Sequence, residues 1–156
     1  MSNYTYKKAD IKDLDMLVKT RIEVLRAANK LSEDTDMKEV GIVSRLYYEK
    51  SLWDGSHTAY LVFDGDKFIG AGGISYYSVM PTYHNPTGRK AYIMNMYTSP
   101  EYRRQGVASA TLDLLVEDAV NKGINEITLE ATECGRPLYE KYGFIQAESE
   151  MTLIRN

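Results

Sequence analysis

The stretch Arg103-Arg104-Gln105-Gly106-Val107-Ala108-Ser109 carries the chemistry most directly readable from residue types and spacing. It joins a strand-like segment to the start of the longest apolar-periodic run, so it should sit where a strand turns into a helix. The first turn of a helix leaves N–H groups without intrahelical partners, and the helix dipole adds positive potential, so such a turn attracts anions. Gly106, Ala108 and Ser109 are small enough to let a phosphate approach the backbone, while Arg103, Arg104 and Gln105 add charge and donors. A diphosphate fits this pattern. A tight turn at Gly106 with solvated arginines fits it too, and the motif alone does not separate the two. It is not a P-loop, for no Gly-Lys-Ser/Thr follows, and it is not the dinucleotide fingerprint, for Gly-x-Gly-x-x-Gly is absent.

Other chemistry-bearing residues are sparse. The single Cys134 rules out an internal disulfide, and two histidines, His57 and His84, cannot by themselves supply a Cys/His zinc cluster, so no metal is expected. No histidine neighbours Cys134 in sequence to activate it, and it reads as an inert packing residue. The unusual count is tyrosine, at 13 residues, which could line a wet pocket as well as a core.

The elements that must position these groups follow from periodicity. Asn3 to Lys8 alternates and reads as a first strand. Asp10 looks like an N-cap for a helix running to about Asn29, with Ile11, Leu14, Val18, Ile22 and Leu25 at helical spacing. Leu31 to Asp36 breaks it, and Met37, Val40, Val43 and Tyr47 mark a second helix ending near Asp54-Gly55. His57 to Asp64 and Lys67 to Val79 form a hairpin about Gly65-Asp66. Gly70, Gly72 and Gly73 inside its second strand suggest close backbone approach or a bulge.

Met80 to Arg89, with two prolines and a glycine, is a loop, and Lys90 to Ser99 is a strand. A long helix follows, with Ala108, Leu112, Leu115, Val116 and Ala119 on one face. Asn125 to Ala131 is a short strand, Pro137 to Tyr142 a short helix stopped by Gly143, and Phe144 to Ile154 a closing strand. The order β-α-α-β-β-β-α-β-α-β predicts a single α/β domain over residues 1–156, a mixed sheet with helices on its faces.

At 156 residues, with 44% hydrophobic and 26% charged residues, the chain suits one globular domain. No apolar run approaches the roughly 20 residues that span a bilayer. The polar Met1 to Asp10 lacks the apolar core of a signal peptide, so a cytoplasmic location is expected. A net charge of −3 argues against nucleic acid as the main partner.

Arg103, Gly106 and Ala108 match the Arg/Gln-x-x-Gly-x-Gly/Ala signature of the GCN5-related N-acetyltransferase (GNAT) superfamily, which the sequence resembles here. Ile93 to Tyr102 is similar to that family's fourth strand and its exit, and Leu138-Tyr139-Glu140-Lys141-Tyr142-Gly143-Phe144 to its second cofactor-side motif. The resemblance implies a twisted mixed sheet of six to seven strands flanked by about four helices. It implies acetyl-coenzyme A as co-substrate, bound by Arg103, Arg104, Gln105, Gly106, Val107, Ala108 and Ser109, with Asn95, Met96, Tyr97 and Thr98 along the pantetheine arm. The backbone N–H of Met96 or Tyr97 would donate to the acetyl carbonyl. One departure is Thr132, where the family often carries Asn ahead of the short helix; Gly135 and Pro137 are also unusual there.

Tyr139 occupies the place where the family sets a tyrosine near the coenzyme sulfur, which implies a general acid for the departing thiolate and a contact with the cofactor. Candidate bases are Glu23, Glu130, Glu133 and His84, with Glu130 first because residues at strand ends beside the βα crevice face the ligand in α/β sheets. The family's acceptor pocket lies between the helix hairpin and the loop before the fourth strand. That places Tyr47, Tyr48, Tyr76, Tyr77, Tyr83 and His84 as its walls, with Glu23, Tyr77, Tyr83 and His84 as acceptor-binding residues. The expected function is transfer of an acetyl group from acetyl-coenzyme A to a primary amine of a small molecule or peptide, directly in a ternary complex. The alternative is a non-catalytic acyl-coenzyme A sensor or interaction module on the same fold. An exposed edge strand would allow a homodimer.

Overall fold

The computed structural model describes residues 3–155. Its strands are β1 (Thr5–Lys8), β2 (His57–Asp64), β3 (Lys67–Ser78), β4 (Arg89–Thr98) and β5 (Ile127–Leu129). They lie side by side in chain order, antiparallel from β1 to β4, while β4 and β5 run parallel. The helices are α1 (Leu14–Ala28), α2 (Lys38–Asp54), α3 (Val107–Asn121) and α4 (Arg136–Tyr142).

Local chemistry sets the boundaries. Asp10 accepts from the Lys12 N–H at 2.8 Å and Asp13 accepts from the Asp10 N–H at 2.9 Å, a capping box that starts a 3-10 turn leading into α1. Gly55, with φ of 79°, ends α2 in the left-handed conformation that glycine adopts without penalty.

Each face of the sheet is covered. Leu17 and Val18 of α1 and Tyr48 of α2 pack on Ala59, Leu61 and Ala71. On the opposite face Leu112, Leu115 and Ala119 of α3, together with Tyr139 of α4, pack on Ile74, Ala91 and Ile93. β3 passes under α3 without side chains at two points. A Cβ on Gly72 would stand 2.6 Å from Thr111 Cγ2 and one on Gly70 3.1 Å from Val107 Cγ1, so the sheet touches this helix through bare backbone. Among the described residues no helix is long and apolar enough to cross a membrane.

Among the described residues the sheet has five strands, not the expected six to seven. The closing strand predicted over Phe144 to Ile154 is not formed: no residue of the segment joins the sheet, it bends at Glu148-Ser149, and it leaves Ile145, Met151, Leu153 and Ile154 exposed. Its centre, Gln146 to Glu150, holds two glutamates on one side of any strand and no β-branched residue, so little drives pairing onto a three-residue β5.

Candidate active site

Between β4 and α3 the chain makes a 3-10 turn over Pro100–Tyr102 and then a tight turn in which Arg104 has φ of 63° and Gly106 φ of 83°. Tyr102 anchors it by donating to Asp64 Oδ2 at 2.7 Å and by packing edge-on against Tyr4. The first α3 hydrogen bond runs from the Ala110 N–H to the Gly106 carbonyl at 2.9 Å, so the N–H groups of Val107, Ala108 and Ser109 precede the helical ladder. No acidic side chain stands in this first turn, and nothing lies within 4 Å of where a Cβ on Gly106 would be. Arg103, Arg104, Gln105 and Ser109 are exposed around it, and Val107 turns inward as part of the core. This bare, donor-lined cradle fits the diphosphate of a coenzyme A thioester.

β4 carries a bulge. Asn95 has φ of 61°, and the register against β3 shifts between Ala71 and Gly73. β4 pairs with β5 only from Ala91 to Ile93, so Asn95, Met96, Tyr97 and Thr98 have no ladder partner on that side. Tyr97 is held by stacking on Phe68, with ring centroids 6.0 Å apart and planes 9° from parallel. A crevice of about 220 Å³ opens where the strands part, and it gathers Arg21, Asn95, Met96, Glu130, Thr132 and Tyr139.

Tyr139 is only 8% exposed, and burial holds its phenol above the ordinary value of 10. Tyr139 lines the crevice, and no buried side-chain N or O atom among the described residues lacks a partner, so its hydroxyl is not a sealed, unpartnered group. The ring rests on Gly135, where a Cβ would stand 3.0 Å from Tyr139 Cε2. Thr132 Oγ1 accepts from the Gly135 N–H at 3.1 Å, and the Thr132 carbonyl from the Arg136 N–H at 2.9 Å. Thr132 and Gly135, two of the three residues that depart from the family pattern, thus start α4 and make room for the tyrosine. Glu130 stands exposed at the crevice rim.

A second cleft, of about 290 Å³, lies on the α1–α2 side and shares Arg21, Met94 and Asn95 with the first. Tyr47, Tyr48, His57 and Ser75 form its inner wall. The Tyr47 hydroxyl lies 3.0 Å from His57 Nδ1 and 2.7 Å from Ser75 Oγ, and those two are 3.1 Å apart. Burial, reinforced by the Arg21 charge, lowers the His57 pKa from 6.5 to about 4, so this histidine is neutral near pH 7. Arg21 donates from Nη1 to Asn95 Oδ1 at 2.9 Å, and so bridges α1 to the bulge.

The other candidates stand apart from both clefts. Glu23 is exposed on α1, Glu133 is exposed beyond β5, and Tyr77 stands beside the Lys90 ammonium, 5.9 Å from ring centre to nitrogen. Tyr83, 93% exposed, packs only edge-on with His84 in the loop before β4. Tyr76 donates to Asp118 of α3 and so serves the packing of that helix. Cys134, expected to be packed, is exposed. Arg21 and His57 belong to no local motif that marks them as functional. The signal for Arg21 was a charge inside an apolar stripe, Leu14, Val18, Leu25 and Ala28; His57 shares a strand face with Ala59 and Leu61.

The acetyltransferase (GNAT) family matches residues 25–144. A crystal structure of a predicted acetyltransferase from Clostridium acetobutylicum with acetyl-CoA is 34% identical, with a TM-score of 0.87 over 97% of this chain and 96% of that one. A GCN5-related N-acetyltransferase from Ralstonia eutropha shares the fold, with a TM-score of 0.83 over 98% of this chain and 99% of that one at 23% identity. Mouse thialysine N-epsilon-acetyltransferase is 30% identical over 73 residues, 47% of this chain and 41% of that protein, so the match spans less than half of this relative's length. With the open turn at Gly106, the bulged β4 and the parting of β4 from β5, these likenesses establish that the chain belongs to the GNAT acetyltransferase family.

Proposed function

We propose that the protein transfers the acetyl group of acetyl-coenzyme A directly to the primary amine of a small molecule or peptide, with both substrates bound together. The single observation that carries the reading is Tyr139, a buried phenol that lines the crevice where β4 leaves β5. A sensor of acyl-coenzyme A would need the cradle at Gly106 but no protonated group at the far end of the crevice.

The co-substrate supplies an acyl group already activated as a thioester. The Gly106 turn holds the diphosphate, with Arg103, Arg104 and Gln105 around it and the N–H groups of Val107, Ala108 and Ser109 beneath. Asn95 to Thr98 align the pantetheine arm, and the Met96 or Tyr97 N–H donates to the acetyl oxygen. Glu130, through water, takes the proton that the amine gives up as its bond to the acetyl carbon forms. Tyr139 donates its proton to the sulfur as the carbon–sulfur bond breaks, and solvent restores it. A phenol held above its ordinary pKa keeps that proton throughout the neutral range.

The acceptor enters from the α1–α2 side through the cleft that meets the crevice at Asn95. The partner inferred for the open edge of β5 is a second copy of the chain. Thermal melts test the cofactor half: acetyl-coenzyme A should raise the Tm by linkage, and free acetate should not. A Tm indifferent to acetyl-coenzyme A overturns the reading.

A further inference from the structure

The acceptor cleft contains one charge, and it is positive. Arg21 lies where the cleft meets the acetyl crevice, and no carboxylate lines the cleft. Among the described residues no Asp or Glu lies within ion-pair distance of its guanidinium, in contrast to Arg45, which pairs with Asp15 at 2.6 Å on the outer side of the same helix hairpin. Its one protein bond, from Nη1 to Asn95 Oδ1, leaves other N–H donors of the planar fork unclaimed. A half-buried cation without a counter-ion is costly, and a ligand anion would relieve that cost.

The remaining wall is neutral. Val40, Val43 and Met94 are apolar, and Tyr47, Tyr48 and His57 are aromatic. A polyamine or aminoglycoside would bring several ammonium groups into this space, against Arg21 and with no carboxylate to receive them. We propose that the acceptor is a small amine carrying a carboxylate close to the reacting nitrogen, an amino acid with an apolar side chain, its carboxylate on Arg21 and its side chain against the Val40–Met94 wall. This rests on the acetyltransferase reading and narrows its acceptor.

A carboxylate is favoured over a phosphate ester because one planar fork matches two coplanar oxygens, and no second cationic side chain lines the cleft to share a dianion. The same positive environment favours the neutral, nucleophilic amine over the ammonium. The transfer is otherwise unchanged: the nitrogen–carbon bond forms, the carbon–sulfur bond breaks, the amine proton leaves to the base and the thiolate is protonated.

The test measures kcat/KM, referred to the neutral amine, for L-phenylalanine, L-phenylalaninamide, O-phosphoethanolamine and spermidine with saturating acetyl-coenzyme A. Wild type, Arg21→Lys and Arg21→Ala are compared. The wild-type preference for acid over amide should be about tenfold to a hundredfold, the range of a charge-assisted pair. It should fall toward unity in Arg21→Ala and persist in part in Arg21→Lys. A merely structural Arg21 would lower both substrates alike and leave the ratio intact, which overturns the proposal. Wild type alone decides it if the variants do not fold. Amide, spermidine or O-phosphoethanolamine used as well as the acid overturns the carboxylate assignment and leaves the acetyltransferase reading standing. Failure to acetylate any amine despite bound acetyl-coenzyme A overturns both.

Discussion

Removal of the Tyr139 hydroxyl isolates proton donation, because the ring that packs on Gly135 and edge-on against Phe144 stays in place. Tyr139→Phe should lower kcat by ~10²-fold or more while acetyl-coenzyme A affinity stays within a few-fold. The defect should shrink with thioesters of more acidic thiols, which leave without help; an equal defect for every thiol would make Tyr139 a packing residue. His57 offers a stability test. Its folded pKa of about 4 lies below the ordinary 6.5, so the unfolded chain binds the proton more readily. The corresponding stability is fully present above pH 6.5 and is lost as pH falls toward 4, by about 3 kcal/mol. Urea denaturation across that window should show the loss, and His57→Gln should flatten it; equal slopes would contradict the burial argument. The place of Tyr139 in the crevice follows from a short local pattern and that of Glu130 from its position at a strand end; no pattern marks Glu130 as the base. Arg21 and His57 were not legible in the sequence, since their meaning comes from non-local pairing of α1, β2 and the β4 bulge.

At the scale of elements, the turn before α3 and the floor beneath it make different demands on glycine. Gly106 has empty space where a side chain would stand, so its substitution meets ligand rather than protein. Gly106→Val should cost about 1–2 kcal/mol for the left-handed φ and weaken acetyl-coenzyme A by about tenfold or more by calorimetry. Unchanged affinity in the folded variant would remove the phosphate role. Gly72 is the reverse case: its Cβ would meet Thr111 Cγ2, Met96 Sδ at 2.8 Å and Leu115 Cδ1 at 3.1 Å. Gly72→Ala should destabilise the fold by about 1–3 kcal/mol in urea titrations, and an unaltered midpoint would show that α3 is free to lift. The helices and the β2–β3 hairpin could be read from periodicity, an N-cap at Asp10 and a Gly-Asp turn, all signals carried within each segment. The missing closing strand could not, because alternation around Met151 and Leu153 resembles a strand whether or not an edge is long enough to receive it.

For the whole molecule, the sheet ends on a β5 paired only with β4, next to a segment that exposes Ile145, Met151, Leu153 and Ile154. Two copies could cover these surfaces together, so light scattering should give twice the monomer mass, and a monomer at every concentration would contradict the second-copy partner. The two clefts share Arg21, Met94 and Asn95, so both substrates can be present at once. Initial rates measured while both acetyl-coenzyme A and a primary amine are varied test that arrangement most directly, with free thiol and acetylated amine quantified in the same samples. Direct transfer predicts intersecting rate patterns and one acetylated amine for each thiol released. Parallel patterns, or thiol released without acetylated amine, would contradict direct transfer in a ternary complex.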